Sequence, residues 1–426
     1  MIENINTLVD IDHERCVLVG IVQQQQTRWE VIDHLDELKA LAQTTGAEVL
    51  DSVIQQRTAP DAAYFIGKGK LEHIACIVDE KEAQIVIFDD DLSPAQVKNI
   101  ESILPVKVID RSALILDIFA RHAQSREAKV QVELAQLNYL LPRLTRQWQH
   151  LSRQVGGIGT KGPGETQLET DRRLVRQRIA NLENRLEQIN RQRATQSQKR
   201  DTRFRAALIG YTNAGKSTLM NCLTNATVHT KNELFATLDT TVRRLTLDNQ
   251  AEVLLSDTVG FIRKLPHHLI ASFRSTLAEA MNADILIHVI DISHPHFEEQ
   301  IRVVKNILSE LDTSETRSLL VFNKMDSIPS NGLLQQIKSR YPNALFLSAR
   351  RHIGVNQVKQ RLQSIMEESF ETKQIKLNYK FGDAEYLIHP LATVLDKSYD
   401  EQYLYLTIKY PRENKEKILE LSKKYV

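Results

Sequence analysis

Residues 210–219 read GYTNAGKSTL, and this stretch constrains the fold of the 426-residue chain more than any other. Gly210, Tyr211, Thr212, Asn213, Ala214, Gly215, Lys216 and Ser217 fit the spacing GxxxxGK[ST]. The apolar run AALI precedes them and the helical pattern STLMNCL follows. A turn from strand to helix with this spacing presents successive backbone N–H groups to oxyanions, and the helix N-terminus adds positive potential. Lys216 is then placed to span the outer phosphates of a nucleotide, and the Ser217 hydroxyl to ligate Mg²⁺.

The runs FRAALIGY, AEVLLSDT, DILIHVID, SLLVFNK and ALFLSA between residues 204 and 368 read as strands buried on both faces, alternating with helical stretches. That pattern predicts a doubly wound α/β domain. Three further motifs follow the phosphate loop in order. In DTVG (Asp257, Thr258, Val259, Gly260), Asp257 occupies the position of a second carboxylate on Mg²⁺, and Gly260 can offer its N–H to the last phosphate. In NKMD (Asn323, Lys324, Met325, Asp326), a carboxylate can accept from the ring N–H and exocyclic amine of guanine. Adenine lacks that pair of donors, so a buried carboxylate facing it would be left unpaired at a cost of ~1–3 kcal/mol. SAR (Ser348, Ala349, Arg350) ends the last strand, where backbone N–H groups could meet the guanine carbonyl. Between the first two motifs lies FATLDTT, which contributes Phe235, Ala236, Thr237, Leu238 and Asp239; Thr237 ranks first as the switch threonine on the metal, with Thr240 and Thr241 competing. The expected catalytic set is Lys216, Asn213, Thr237 and Gly260, with Ser217 and Thr237 on the metal.

Phe261 follows DTVG where Ras-like enzymes carry a glutamine that orients water. Slow intrinsic hydrolysis is expected. Asn213 inside the loop suggests a monovalent cation such as K⁺, whose charge would stand where an arginine finger would.

At 426 residues the chain exceeds one core, and its 42% hydrophobic and 26% charged residues fit an ordinary globular protein. Four segments are expected: an N-terminal α/β domain with helices (1–142), a basic helix–loop–helix segment (143–200), the nucleotide domain (201–368) and a small C-terminal domain (369–426). Residues 16–110 alternate strand-like and helix-like runs, which implies a small parallel sheet. From Ser112 to Leu141 the pattern reads as helical throughout, and Pro142 punctuates it. RQWQHLSRQVGGIGTKGPGE carries five glycines and reads as a loop; beyond it Leu168, Val175, Ile179, Leu182, Leu186 and Ile189 form one helical stripe.

The net charge is only +1, yet residues 143–200 hold thirteen Lys or Arg against five Asp or Glu. That segment is either a solvated helical hairpin or an RNA contact, with Trp148 near Arg146 and His150 able to stack on a base. The three cysteines are far apart and offer neither a disulfide framework nor a metal site, and His267, His268, His294 and His296 lack further ligands at a defined spacing. No apolar run reaches the ~18 residues of a membrane span, and the N-terminus lacks the order of a signal peptide. The expectation is a monomeric cytoplasmic protein, with peripheral membrane association left open.

GYTNAGKST, LFATLDTT, DTVGFIRKLP, GKGKLEHI and GPGETQLETDRR together resemble the HflX family of Obg-related translational GTPases, over residues 15–370. The last two motifs lie outside the nucleotide fold and discriminate it from its relatives. The resemblance implies GTP hydrolysis, binding to the large ribosomal subunit, and GTP-dependent separation of stalled or idle ribosomes, with the glycine-rich loop reaching toward the peptidyl-transferase centre. It also implies ATP binding by the N-terminal domain, for which Gly67, Lys68, Gly69 and Lys70 are candidates, although such a Gly-Lys turn also simply starts a helix. Thr240 stands where relatives are expected to carry proline. Two rival readings are an ATP-driven RNA helicase regulated by GTP, and a GTP-switched adaptor with negligible turnover.

Overall fold

The computed structural model describes residues 14–144 (except 25), 163–198, 204–224, 233–266, 281–311, 316–328, 331–378, 388–389, 391–400, 402–411 and 414–424. Of the stretch read as a glycine-rich loop, residues 146–162 with Trp148, Arg146 and His150 lie outside them, as do His267 and His268, whereas Pro163, Gly164 and Glu165 begin a helix rather than end the loop.

The chain is a multidomain α/β protein, and its described residues form three sheets. The first has the order β2-β1-β3-β4 and is wholly parallel, with β1 at Arg15–Val22, β2 at Glu48–Gln56, β3 at Ile85–Phe88 and β4 at Lys107–Asp110. Strand β1 is buried on both faces, as a parallel strand between helical layers must be. Cys16 and Leu18 turn toward helices α1 (Arg28–Thr44) and α4 (Arg111–His122), whereas Val17 and Val19 meet α2 (Lys68–Lys81) on the other side. Helix α1 starts at a capping box, in which the Thr27 hydroxyl accepts from Glu30 N and the Glu30 carboxylate accepts from Thr27 N. Helix α3 (Pro94–Glu101) repeats the device with Ser93 and Gln96.

The stretch read as one helical run from Ser112 to Leu141 is two helices, α4 and α5 (Arg126–Leu140). Ala123 takes an extended conformation, and the Ser125 side chain caps the next turn by accepting from Ala128 N at 3.0 Å. Helix α6 (Pro163–Gln198) lies along α5, with Val175, Ile179, Leu182 and Leu186 against Val130, Leu134 and Leu137.

The second sheet has the order β10-β9-β8-β5-β7-β6. Its strands are β5 (Phe204–Gly210), β6 (Thr241–Thr246), β7 (Glu252–Asp257), β8 (Ile285–Asp291), β9 (Ser318–Asn323) and β10 (Leu345–Phe346). All neighbours are parallel except β6, which joins β7 antiparallel as an edge. Helices α7 (Lys216–Thr224), α8 (Phe297–Glu310), α9 (Asn331–Arg340) and α10 (Val355–Ser369) accompany it. The third sheet is antiparallel, β11-β13-β12, comprising Phe370–Asn378, Tyr403–Pro411 and Thr393–Tyr399, with α11 (Lys415–Lys424) packing Ile418 against it. Among the described residues no helix is long and apolar enough to cross a membrane.

The first two sheets share one apolar cluster. Leu114, Ile118 and Phe119 of α4 join Phe235, Leu238, Phe261 and Ile262 of the nucleotide domain. The Phe119 and Phe235 rings meet edge to face with centroids 4.8 Å apart.

Candidate nucleotide site

The loop 210–217 lies at the carboxyl end of β5, in the middle of the second sheet. Gly210 has φ +148° and a Cβ there would fall 2.2 Å from the Val289 carbonyl oxygen; Gly215 has φ +92° and a Cβ would fall 2.2 Å from Asn323 Nδ2. Only glycine fits either place. Asn213 is exposed with φ 58°, left-handed like a turn residue.

Lys216 is buried, and its Nζ donates to the carbonyls of Gly210 at 3.1 Å and Tyr211 at 2.8 Å. Burial lowers its pKa to about 8, against the pull of Asp257. The Ser217 hydroxyl lies 2.9 Å from that of Thr237 and donates to Asp257 Oδ2 at 2.6 Å. Asp257 is held above the usual carboxylate range by burial, which outweighs the Ser217 hydrogen bond and the Lys216 charge. Its Oδ1 is buried with no hydrogen-bond partner. Ser217, Thr237 and Asp257 therefore converge beside the loop; Thr241 opens β6 and Thr240 directly precedes it. Thr212, Asn213, Phe235, Ala236, Thr258 and Gly260 line the same cavity.

Asp257 closes β7, and just beyond it the Thr258 hydroxyl donates to the Leu208 carbonyl at 2.7 Å. Val259 is buried, and Gly260 passes directly over the loop: a Cβ would lie 2.8 Å from Thr212 Cα and 3.0 Å from Lys216 Nζ. Thr212 N–H donates to Phe261 O at 2.7 Å and Phe261 N–H to Gly210 O at 3.0 Å. Phe261 is 2% exposed and sits in the shared core.

On the other side, Asn323 ties three motifs together. Its Nδ2 donates to Ala214 O at 2.9 Å and its Oδ1 accepts from Ala349 N at 2.9 Å. Lys324 is left-handed, φ 61°, with Nζ 2.7 Å from Asp291. Met325 N–H donates to Leu347 O at 3.2 Å, which sets NKMD against SAR. The Asp326 carboxyl is held below its ordinary range, first by a hydrogen bond from Ser348, and Arg351 Nε lies 3.1 Å away. Arg350 is exposed.

Two predicted residues face elsewhere. Asp239 Oδ2 accepts from the backbone of Gln124 and Ser125, at 3.0 and 3.1 Å, and its other oxygen accepts from the Ser125 hydroxyl. This carboxylate thus sits on the N-terminus of α5, where the helix dipole favours it. Leu238 is buried in the shared core. The Gly67–Lys70 turn is the start of α2, with Gly67 N–H donating to Gln55 Oε1 at 2.8 Å.

Local pattern carries no sign of the groups that the first domain brings to this site. The Tyr211 hydroxyl donates to Glu37 of α1 and accepts from Arg263 N–H at 2.9 Å. Burial, then Glu37, pushes that phenol well above its ordinary range. Arg111, 1% exposed, pairs with Glu37 and with Asp89 at 2.7 Å, and donates to Arg263 O at 3.1 Å. Lys264 Nζ reaches Asp89 at 2.7 Å and Asp90 at 2.6 Å.

Residues 205–324 match the family described as 50S ribosome-binding GTPase, residues 32–120 the GTP-binding GTPase N-terminal family and residues 122–200 the GTP-binding GTPase middle region. The GTPase HflX of Escherichia coli is 46% identical over 355 residues, 82% of each chain. The chain belongs to the HflX GTPase family. The HflX proteins of Flavobacterium psychrophilum and Caldanaerobacter subterraneus are 44% and 43% identical, over 88% and 96% of this chain and 96% and 93% of theirs. The solved GDP complex of SsGBP is 25% identical, covers 83% of this chain and 99% of its own, and has a TM-score of 0.47.

Proposed function

We propose that this HflX-family GTPase binds the large ribosomal subunit and couples GTP binding and hydrolysis to the dissociation of stalled or idle ribosomes. The observation that carries the GTPase part is the convergence of Ser217, Thr237 and Asp257 beside a glycine-framed loop whose lysine is buried. The ribosomal part is supported by the family match over residues 205–324 and by the basic segment 143–200.

In this reading the N–H groups of Asn213 and of residues 215–217 hold the phosphates, those of Thr212 and Ala214 being given to Phe261 O and Tyr211 O, and Lys216 moves from carbonyl partners to phosphate oxygens. Mg²⁺ fits the oxygen donors present, because hard hydroxyl and carboxylate ligands suit it and Asp257 Oδ1 is buried without a partner. Ser217 and Thr237 would hold it, with Asp257 behind them. Among the described residues no cluster of three His, Cys, Asp or Glu side chains forms a metal cage, which suits an ion whose remaining ligands are phosphate and water. The ion neutralises charge on the phosphates when bound. Asn213, exposed on the rim, is the candidate for a monovalent cation such as K⁺. Asp326 selects guanine; the Ser348 and Ala349 N–H groups are given to Ile353 O and Asn323 Oδ1, which leaves the Arg350 N–H to meet the guanine carbonyl. Phe261 supplies no amide for water, so fast turnover is left to the ribosome or the cation.

The test is GTP and ATP turnover with and without purified ribosomal subunits, followed by sedimentation of intact ribosomes. Strong stimulation by the large subunit together with splitting supports the proposal, whereas no cosedimentation and no effect on turnover removes the ribosome from it.

A further inference from the structure

We infer that Glu37, in the first helix of the N-terminal domain, is a positioning residue for GTP hydrolysis that acts through the hydroxyl of Tyr211; this rests on the GTPase reading above. Tyr211 is the second residue of the phosphate loop, and its carbonyl accepts from Lys216 Nζ. Its side chain leaves the loop and crosses to the other domain, where it is 6% exposed. There its hydroxyl serves two purposes: it donates to Glu37, 174 residues away in sequence, and accepts from the N–H of Arg263. Arg263 lies three residues beyond Gly260, and the intervening Phe261 exchanges backbone hydrogen bonds with Gly210 and Thr212. One phenol therefore pins the segment 260–263 onto the loop at a second point.

Glu37 fixes that phenol, and its own geometry is fixed in turn. Arg111 grips it from a fully buried position and reaches Arg263 O with the same nitrogen. Asp89 orients Arg111 from the other side, and Lys264 closes the ring on Asp89 and Asp90. Three carboxylates, Glu37, Asp89 and Asp90, face three cations, Arg111, Arg263 and Lys264, so the cluster is neutral and its members hold one another in place. A hydrogen-bonded group behind the reacting site lends precision rather than chemistry. Its loss should appear where the Gly260 N–H meets the developing charge, in turnover, and leave the phosphate nest able to bind nucleotide.

Tyr211→Phe removes only the hydroxyl, and Glu37→Gln keeps the side-chain length while removing its charge. Each is expected to lower kcat for GTP about tenfold, because a misplacement of a fraction of an ångström is felt in the transition state. KM for GTP and affinity for GDP should stay within about twofold. Because both act through one contact, the double variant should be no slower than the slower single variant. Rates are taken per folded molecule, from the full-length protein with its melting temperature recorded alongside. A parent protein with no GTP turnover overturns the GTPase reading itself. An active parent with Tyr211→Phe within about twofold of it, or with losses that multiply in the double variant, overturns only the positioning role of Glu37. If Glu37→Gln is too unstable to assay, Tyr211→Phe alone decides.

Discussion

Gly260→Ala probes how closely the end of β7 rides on the phosphate loop. The added Cβ would sit 2.8 Å from Thr212 Cα, 2.9 Å from Thr212 Cγ2 and 3.0 Å from Lys216 Nζ, where ordinary contact begins at 3.4 Å. The lysine end could yield, but the Thr212 backbone is bound to Phe261 O at 2.7 Å, so loop and strand end must part by roughly 0.6 Å. Parting stretches that hydrogen bond, worth about 1 kcal/mol, and overpacking adds ~1–3 kcal/mol. The Gly260 N–H moves by the same distance from the place proposed for the last phosphate. A displacement near 1 Å costs on the order of a hundredfold in rate, so kcat for GTP should fall ~10- to 100-fold. GDP, which lacks that phosphate, should bind within about threefold of the parent. Single-turnover hydrolysis, titration with a fluorescent GDP and a thermal melt measure the three quantities. Turnover within twofold of the parent together with an unchanged melt would refute the claim that glycine is required here by contact.

Asn323→Ala should destabilise the nucleotide domain by about 2–4 kcal/mol and weaken both GTP and GDP, because Ala214 O and Ala349 N each lose a buried partner; urea unfolding checks it, and a shift under 1 kcal/mol contradicts it. Asp326→Asn should weaken GTP by roughly 10- to 100-fold, consistent with loss of a charge-assisted pair, without comparable loss of ATP binding, and parallel titrations of both triphosphates report it; unchanged GTP affinity would detach Asp326 from the base. His34, which burial above all and then the Arg263 charge hold neutral down to a pKa of about 3, should make stability fall as the pH drops below 6.5. The unfolded chain binds the proton there and the folded one does not, so the loss reaches about 2 kcal/mol by pH 5. Melting curves of His34→Gln should be flatter than the parent's between pH 7 and 5, and parallel curves would assign the acid sensitivity elsewhere.

Much of the nucleotide domain was legible because its signals are local. GYTNAGKST needs a strand before it and a helix after it, and the apolar runs around β5, β7, β8 and β9 are long enough to read as buried strands. The antiparallel edge β6 is not legible in the sequence because TVRRLT is largely exposed and has no buried-strand pattern. The break between α4 and α5 hinges on the capping of Ser125, which helical periodicity smooths over. Asp239 read as part of a nucleotide motif from its neighbours, whereas its partners Gln124 and Ser125 lie more than a hundred residues upstream. The charge cluster around Arg111 was invisible for the same reason: its members come from α1, the end of β3, α4 and the segment after β7, and no spacing rule links them.

The seat of Asp239 has one further mechanical implication. Thr237, two residues away, is the hydroxyl proposed to answer the metal, and Asp239 is bolted to the first turn of α5, along which α6 lies. Reeling Thr237 inward by even a small distance must either drag that helical pair with it or tear the carboxylate off its seat. Exchange of phosphate at the loop would thereby be felt by α6, whose sequence belongs to the basic segment 143–200.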